Sequence, residues 1–242
     1  MPPAVSGSAA GRWLHRIRHA AADLVGGLVS PIPGRAGSLV RVAYFRARGA
    51  AIGARVRIDP LVMMDRPDLV AVGDDSWLDR CAVLIAGPPR PGRETRRVGD
   101  LDRIEAGRIL IGRRCHVGPF TVLSGIGGLS LGDDVTLSAG AKAYSLSHHY
   151  RSWARPSDDS VVFGSMAADR DQAMLQGPVV VERNVGIGAD VLILPGTTIG
   201  TRSFVRPRSV VRGAWPAGSI LGGDPAQREG DRFEPTATPA DA

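Results

Sequence analysis

The feature that most constrains this chain is an aliphatic residue at every sixth position. Between residues 181 and 211 these residues are Val181, Ile187, Ile193, Ile199, Val205 and Val211. A period of six is a multiple of the strand period of two, so residues six apart in an extended chain point to the same side. Short strands joined by corners would stack such residues into one interior ladder. The repeat therefore predicts an all-β solenoid, a parallel β-helix.

The same spacing recurs in four earlier blocks. Their leading residues are Ile52, Ile58 and Met64; Val72, Leu78 and Leu84; Ile111, Val117 and Leu123; and Leu131, Leu137 and Ala143. Gly or Asp follows many of these leaders, and we expect glycine to supply positive φ angles at tight corners. A sandwich of short alternating strands is the alternative, but its pattern carries no six-residue phase.

Two stretches interrupt the repeat. The first, residues 86–108, is rich in Pro and Gly and contains the basic cluster Arg90, Arg93, Arg96 and Arg97. We expect it to be a solvated loop, or else a loop that touches an anionic substrate or a partner subunit. The second, residues 144–176, is where we expect function, because long excursions from a regular scaffold usually carry it.

The segments outside the repeat complete the domain organisation. We predict an N-terminal helical or capping segment over residues 1–49, a β-helix domain over 50–228 and a disordered tail over 229–242. Residues 12–29 have helical spacing of the apolar residues Trp13, Leu14, Ile17, Ala21, Leu24, Val25 and Leu28. This helix either caps the open end of the solenoid or makes a peripheral contact with an anionic membrane.

Charge and cysteine content limit the partners. With 30 Lys and Arg against 24 Asp and Glu, the formal net charge is +6, which suits a phosphorylated cofactor or a membrane surface. No run of interleaved arginine and aromatic residues favours nucleic acid, so we expect no nucleic-acid partner. Two cysteines make no disulfide framework, and neither a spanning segment nor a signal-peptide core is present. We expect a cytoplasmic protein, at most peripheral to the inner membrane face.

The last coils carry four short motifs. They are Ile187-Gly188-Ala189, Leu194-Pro195-Gly196, Arg206-Pro207-Arg208-Ser209-Val210-Val211 and Gly222-Gly223-Asp224-Pro225-Ala226. These motifs resemble those of the hexapeptide-repeat acyltransferases, in particular the sugar and polysaccharide O-acetyltransferases, and the resemblance covers most of residues 50–228. It implies a left-handed parallel β-helix, acetyl-CoA as co-substrate, a sugar acceptor, and a homotrimer with active sites between subunits.

The resemblance also implies site residues. The family's catalytic histidine corresponds to His148, whose neutral imidazole can remove the proton of an acceptor hydroxyl as the hydroxyl attacks the thioester. Its neighbour His149 binds the acceptor or orients His148, and we expect further acceptor contacts from Tyr144 and Trp153. For the cofactor we expect contacts from Gly188, Ala189, Arg206, Pro207, Arg208 and Arg212, because guanidinium groups suit phosphates.

The leading functional hypothesis is direct O-acetyl transfer from acetyl-CoA to a sugar hydroxyl in a ternary complex. N-acetylation of an amino sugar and acetylation of an antibiotic are enzymatic alternatives, and a β-helix scaffold without catalysis is the non-enzymatic one. A zinc-dependent carbonic anhydrase would need histidine ligands on adjacent coils, and His116, His148 and His149 do not have that spacing. We therefore expect no metal.

Overall fold

The structure, a computed structural model, describes residues 22–234 of the 242. Residues 22–29 form helix α1 and Gly34–Ala47 form helix α2, followed by a solenoid of short strands. Single 3₁₀ turns occur at Pro67–Leu69 and Asp169–Asp171. Within the described residues no helix combines the length and apolarity needed to cross a bilayer.

Three sheets form the faces of the solenoid, and successive strands pass from one face to the next. The first face contains β1 (Ala51–Ile52), β4 (Val70–Val72), β8 (Ile109–Ile111), β11 (Leu129–Leu131), β16 (Val179–Val181), β19 (Thr198–Ile199) and β22 (Ala214–Trp215). The second contains β2 (Arg57–Ile58), β5 (Trp77–Leu78), β9 (His116–Val117), β12 (Thr136–Leu137), β17 (Gly186–Ile187), β20 (Phe204–Val205), β23 (Ser219–Gly223) and β24 (Ala226–Asp231). The third contains β3 (Met63–Met64), β6 (Val83–Ile85), β10 (Val122–Ser124), β13 (Lys142–Tyr144), β18 (Leu192–Ile193) and β21 (Val210–Val211).

The register confirms a coiled, parallel architecture. Leu129 pairs with Ile109, and Val180 pairs with Thr198, so one circuit takes 20 or 18 residues. The two interruptions of the repeat fall between coils, and the ladder of parallel strands continues on either side of them. Every pairing on the three faces is parallel except that of β23 with β24.

The six-residue ladder is the core of the solenoid. Its members between 181 and 211 are exposed by 0–1%, as the repeat predicted. Small residues four positions after a leader fill the remaining interior, and in the last coils their hydroxyls are satisfied locally, whereas the buried hydroxyl of Thr121 has no partner. Thr197 Oγ1 donates to the carbonyl of Leu194 at 2.7 Å, and Ser203 Oγ donates to that of Gly200 at 2.7 Å. These bonds offset the cost of burying polar groups in so narrow an interior.

The corners agree with the expectation only in part: Gly140, Gly196, Gly213 and Gly218 have φ angles of 72°, 78°, 85° and 76°, but most corners use other residues. Left-handed φ angles of 54–63° occur at Arg55, Leu61, Asp75, Cys81, Arg114, Phe120, Asp134, Asn184, Asp190, Arg202 and Arg208, none of which is glycine. Several glycines that follow a leader serve a different purpose, close approach of neighbouring coils. A Cβ on Gly112 would lie 2.6 Å from the backbone nitrogen of Asp133, and one on Gly132 would lie 2.6 Å from that of Arg183.

Helix α2 covers the first coil. It buries Val42 and Phe45 in the core, and the hydroxyl of Ser38 accepts a hydrogen bond from the backbone N–H of Ile58 at 3.0 Å. The buried side chain of Arg41 donates to the carbonyl of Ile58 at 3.0 Å and to that of Ile32 at 2.6 Å. Through these contacts α2 covers the end of the solenoid, where residues 51–64 form the first circuit.

At the other end of the solenoid, the last strand extends beyond the predicted start of the tail. Strand β24 (Ala226–Asp231) pairs antiparallel with β23, so residues 229–231 are ordered in the second face rather than disordered as expected. The ring of Phe233 lies beneath the guanidinium of Arg202 at 5.0 Å. The predicted tail residues 235–242, and residues 12–21 of the predicted first helix, lie outside the described residues. We retain the division into helical segment and solenoid domain as a proposal.

Candidate active site

The two interruptions of the repeat meet in one small sheet. Strand β7 (Glu94–Arg97) of the first pairs parallel with β15 (Ala173–Gln176) of the second, and β15 pairs antiparallel with β14 (Leu146–His148). Part of the first interruption is therefore a paired strand, and not the solvated loop that we expected. We call this three-stranded sheet the platform. It forms because each strand satisfies backbone groups that a lone excursion would leave without partners.

The platform is fixed to the solenoid at several points. Ser145, which follows β13 directly, is fully buried, and its hydroxyl accepts a hydrogen bond from the N–H of Gly127 at 2.8 Å. Three glycines also pack together, since a Cβ on Gly99 or on Gly177 would lie 2.7–2.8 Å from Cα of Gly196. Gly196 ends the Leu-Pro-Gly motif, so this turn supports both excursions.

His148 lies at the end of β14, four residues after the third face ends. Its side chain is exposed, and it pairs in register with Met174, which in turn pairs with Thr95. Residues paired in register lie on the same face of a sheet. The next row on that face is Leu146, Gln176 and Arg97. Thr95 and Arg97 thus share a surface with His148, which the sequence did not predict because they lie about fifty residues earlier.

His149 is held more firmly than His148. Its Nδ1 lies 2.7 Å from the carbonyl oxygen of Arg151. The backbone N–H of Arg151 also approaches Nδ1, at 3.4 Å, so the shorter contact with the carbonyl favours a proton on Nδ1 and Nε2 as the acceptor of the neutral ring. The ring stacks on Trp153 with centroids 3.5 Å apart and lies tilted against Tyr150 at 4.4 Å. These contacts fix the orientation of the ring.

Trp153 connects His149 to the platform. Its Nε1–H donates to the carbonyl of Met174 at 3.0 Å, and the guanidinium of Arg96 lies 5.0 Å from its ring. Of the expected acceptor residues, the structure brings His149 and Trp153 into contact. Tyr144 lies on β13 instead, half-buried and paired with Ser124.

Charged contacts join the two excursions beside this cluster. Arg93, whose side chain is only 9% exposed, donates to a carboxylate oxygen of Asp169 at 2.7 Å. Glu94 accepts from the N–H of Ala154 at 2.6 Å. Desolvation raises the pKa of Glu94, but hydrogen bonds from Ala154 and its neighbours outweigh this and hold the pKa below its ordinary value. The carboxylate therefore stays charged and holds the second excursion near β7.

The expected cofactor residues fall into three groups. Gly188 and Ala189 lie beside Pro207 and Arg208 of the next coil, and the N–H of Arg208 donates to the carbonyl of Ala189 at 2.8 Å. Arg206 forms an ion pair with Glu229 at 2.6 Å, so β24 neutralises it. Arg212 is exposed directly after β21, and its carbonyl accepts a hydrogen bond from the indole N–H of Trp215 at 3.1 Å.

A second cluster of ionisable groups lies on the outside of the second face. His116 stacks on Trp77 with centroids 4.4 Å apart, and its Nε2 lies 3.6 Å from a carboxylate oxygen of Asp79. The indole of Trp77 donates to Asp59 at 3.1 Å, and Arg57 donates to the same carboxylate at 2.7 Å. Across residues 22–234 no group of three His, Cys, Asp or Glu side chains is arranged to hold a metal ion.

Sequence comparison identifies one similar curated protein. No protein-family model matches the chain. The chain is 27% identical over 127 residues to the "Putative lipopolysaccharide biosynthesis O-acetyl transferase WbbJ" of Escherichia coli (strain K12). The match covers 52% of this chain and 62% of the relative, so it spans less than two thirds of that protein's length.

Structure comparison confirms the fold over most of the chain. A point mutant of AntD, an N-acyltransferase from Bacillus cereus in complex with dTDP and coenzyme A, has a TM-score of 0.63 at 19% identity and covers 78% of this chain and 88% of its own. The hexapeptide-repeat acetyltransferase VCA0836 from Vibrio cholerae in complex with acetyl-CoA has a TM-score of 0.53 at 20% identity, covering 89% and 87%. The resemblance to hexapeptide-repeat acyltransferases is confirmed, and all three similar proteins carry acyltransferase names.

Proposed function

We propose that this chain is an acetyl-CoA-dependent O-acetyltransferase that acts on a hydroxyl of a sugar or polysaccharide precursor. The observation that carries the proposal is the position of His148, which is exposed at the end of β14 where the chain has just left the third face. The comparisons with WbbJ and VCA0836 support the reaction class. A left-handed solenoid, a homotrimer with sites between subunits and a cytoplasmic location, where acetyl-CoA is made, belong to the same proposal.

His148 is the general base in this mechanism. A sugar hydroxyl has a pKa far above neutrality and is a weak nucleophile, so proton removal must accompany attack. The imidazole takes the hydroxyl proton as the oxygen bonds to the thioester carbonyl carbon. Collapse of the tetrahedral intermediate breaks the carbon–sulfur bond, and the imidazolium returns the proton to the departing thiolate. General-base catalysis of this kind contributes typically ~10²–10⁴-fold.

The other site residues bind and orient the reactants. The acetyl-CoA thioester supplies an activated acetyl group. The exposed guanidinium groups of Arg208 and Arg212 fit its phosphates, whereas Arg206 is already paired with Glu229. For the acceptor, Nε2 of His149 offers a hydrogen-bonding atom on an oriented ring, and the rings of Trp153 and Tyr150 offer apolar faces. Tyr144 is a further acceptor contact.

N-acetylation of an amino sugar is the second candidate. It is favoured by the fold shared with AntD, one solved structure of which contains dTDP-4-amino-4,6-dideoxyglucose and coenzyme A. The same base would then deprotonate an attacking amine. The two candidates differ in the bond formed, an ester in one and an amide in the other.

Release of coenzyme A tests the proposal. Purified chain is incubated with acetyl-CoA and a panel of neutral sugars, nucleotide sugars and amino sugars, and free thiol is measured alongside the mass of the product. We expect acceptor-dependent thiol release and an acetylated product that mild alkali cleaves, as an ester. A product stable to alkali would favour N-acetylation, and the absence of acceptor-dependent release across the panel would favour a scaffold.

A further inference from the structure

The first interruption of the repeat reaches the second through side chains on and beside strand β7. Arg93, which directly precedes β7, donates to Asp169, and the guanidinium of Arg96 lies 5.0 Å from the ring of Trp153. Between these two arginines lies Glu94, whose carboxylate accepts hydrogen bonds from the second excursion. Part of the basic cluster that stands out in the sequence is thus occupied with contacts inside the protein.

The Glu94 carboxylate binds one short turn. It accepts from the backbone N–H of Ala154 at 2.6 Å, and it also bonds to the backbone N–H of Trp153 and to the hydroxyl of Ser152. Successive backbone N–H groups that converge on one point form a good binding site for an anion. Ser152 is itself only 1% exposed, and its hydroxyl oxygen accepts from the N–H of Arg155 at 2.9 Å. One carboxylate therefore organises the whole turn.

The turn fixes Trp153, and Trp153 fixes His149. The indole Nε1–H of Trp153 donates to the carbonyl of Met174 at 3.0 Å, so the backbone and the side chain of Trp153 are both held by the platform. The His149 ring stacks on this indole with centroids 3.5 Å apart. Because His149 follows directly after β14, its position also affects the end of the strand that carries His148. A continuous series of contacts therefore runs from Glu94 to the two histidines.

The contacts of Glu94 distinguish this role from general stabilisation of the fold. Within residues 22–234, every hydrogen bond of the carboxylate goes to residues 152–154, and none goes to a coil of the solenoid. Hydrogen bonds that an ionised group accepts are stronger than those between neutral groups. Loss of the carboxylate should therefore release the turn and leave the coils intact.

We propose that Glu94 is a positioning residue of the acceptor site, and that it holds Trp153 and His149 in the orientation that binds the acceptor. The inference rests on the proposed function, because it takes His149 and Trp153 as acceptor contacts. Glu94 acts through the turn at residues 152–154 and not by contact with either reactant. The first interruption of the repeat is then part of the machinery of the active site, although no sequence motif relates it to the second.

Kinetics of the full chain test the proposal. The acceptor is the member of the sugar panel that gives the fastest release of thiol. We expect Glu94→Ala to raise KM for this acceptor at least about tenfold, the effect of losing hydrogen bonds to a charged group, and to lower kcat by less. The Kd for coenzyme A and the urea midpoint should not change. Glu94→Gln keeps an oxygen that accepts from the N–H of Ala154, so it should restore most of the acceptor affinity.

Near-ultraviolet circular dichroism reports the position of Trp153 without turnover, because an aromatic ring gives a signal there only when its packing is fixed. The contribution of Trp153 is the difference between the spectra of the parent chain and of Trp153→Phe. We expect Glu94→Ala to lose this contribution and Glu94→Gln to retain it. Glu105→Ala is the matched control for both measurements, because Glu105 lies in the same interruption with its side chain 76% exposed and contacts only Arg108 among the described residues.

Three results would overturn the inference while the proposed function stands. They are an acceptor KM in Glu94→Ala equal to that of an active parent chain, a Trp153 signal retained in that variant, and a lowered urea midpoint with KM and kcat affected equally. The last result would assign Glu94 to the stability of the fold. Absence of acceptor-dependent release by the parent chain would overturn the proposed function and the positioning role with it, whereas the dichroism would still show whether Glu94 holds the turn.

Discussion

At the scale of single residues, two adjacent histidines have different surroundings. The ring of His149 is fixed by the carbonyl of Arg151 and by stacking on Trp153, whereas His148 projects from the end of β14 into solvent. A residue that must accept a proton from a bound acceptor and release it again benefits from an accessible ring. A residue that holds the acceptor benefits from a fixed one. The geometry thus favours different roles for the two.

Replacement of His148 tests this division. We expect His148→Ala to lower kcat at least a hundredfold, because the acceptor hydroxyl loses its base, while the Kd for coenzyme A changes by less than about twofold. His149→Asn should raise KM for the acceptor more than it lowers kcat. Kinetics of acetyl transfer and calorimetry with coenzyme A make the measurement. Unchanged kcat in His148→Ala would remove the base assignment.

At the scale of the elements, the coils approach one another so closely that one column of residues has no room for side chains. A Cβ on Gly73 would lie 2.6 Å from the carbonyl carbon of Gly112, and Gly112 stands in the same relation to the coil that contains Gly132. Backbone cannot retreat from such a contact as a flexible side chain can. Glycine is therefore required in this column for packing between coils and not for its φ angle.

Substitution in this column should destabilise the whole solenoid. We expect Gly112→Ala to lower the free energy of unfolding by about 1–3 kcal/mol, the usual cost of overpacking a rigid site. Urea unfolding followed by circular dichroism gives the value. Gly27→Ala is the matched control, since a Cβ there meets nothing within 4 Å, and it should leave the midpoint unchanged or slightly higher. Equal effects of the two variants would contradict the packing argument.

At the scale of the whole molecule, ion pairs link successive coils along one corner. Arg55 contacts Asp75 at 2.5 Å, Arg113 contacts Asp133 at 2.8 Å and Arg114 contacts Asp134 at 2.6 Å. Hydrogen bonds from these arginines hold the pKa values of the three carboxyl groups below their ordinary range. Each exposed pair contributes little, but the row runs across consecutive coils.

This row predicts acid sensitivity of the solenoid. Because the folded pKa of each carboxyl lies below the unfolded value near 3.9, the stabilisation is present above that value and is lost as the pH falls through the folded pKa. We expect the urea midpoint to be steady from about pH 7 to pH 5 and to fall below about pH 4. Asp134→Asn should lower the urea midpoint at neutral pH and reduce the fall of the midpoint below about pH 4. If the urea midpoint of that variant fell as steeply in acid as that of the parent chain, Asp134 would be excluded as a contributor.

The sequence by itself determined the solenoid, its interior ladder and the position of the two excursions. These follow from the six-residue period, because a repeat is a local property and each coil imposes the same requirement on its aliphatic leaders. The motifs near residues 187–226 were equally readable, since the resemblance rests on short contiguous stretches, whereas the role of His148 stays a prediction. The role of each glycine near a corner was only partly readable, because a left-handed φ and a close approach both favour glycine and only the structure separates them.

Only the tertiary structure decided how distant segments combine. The pairing of β7 with β15, the engagement of Arg206 by Glu229 and the packing of α2 on the first coil join residues that no local pattern relates. The orientation of the His149 ring likewise depends on where the carbonyl of Arg151 falls in an irregular loop. Periodicity specifies which residues turn inward, whereas contacts between excursions depend on where each chain segment returns, and a sequence pattern carries no record of that.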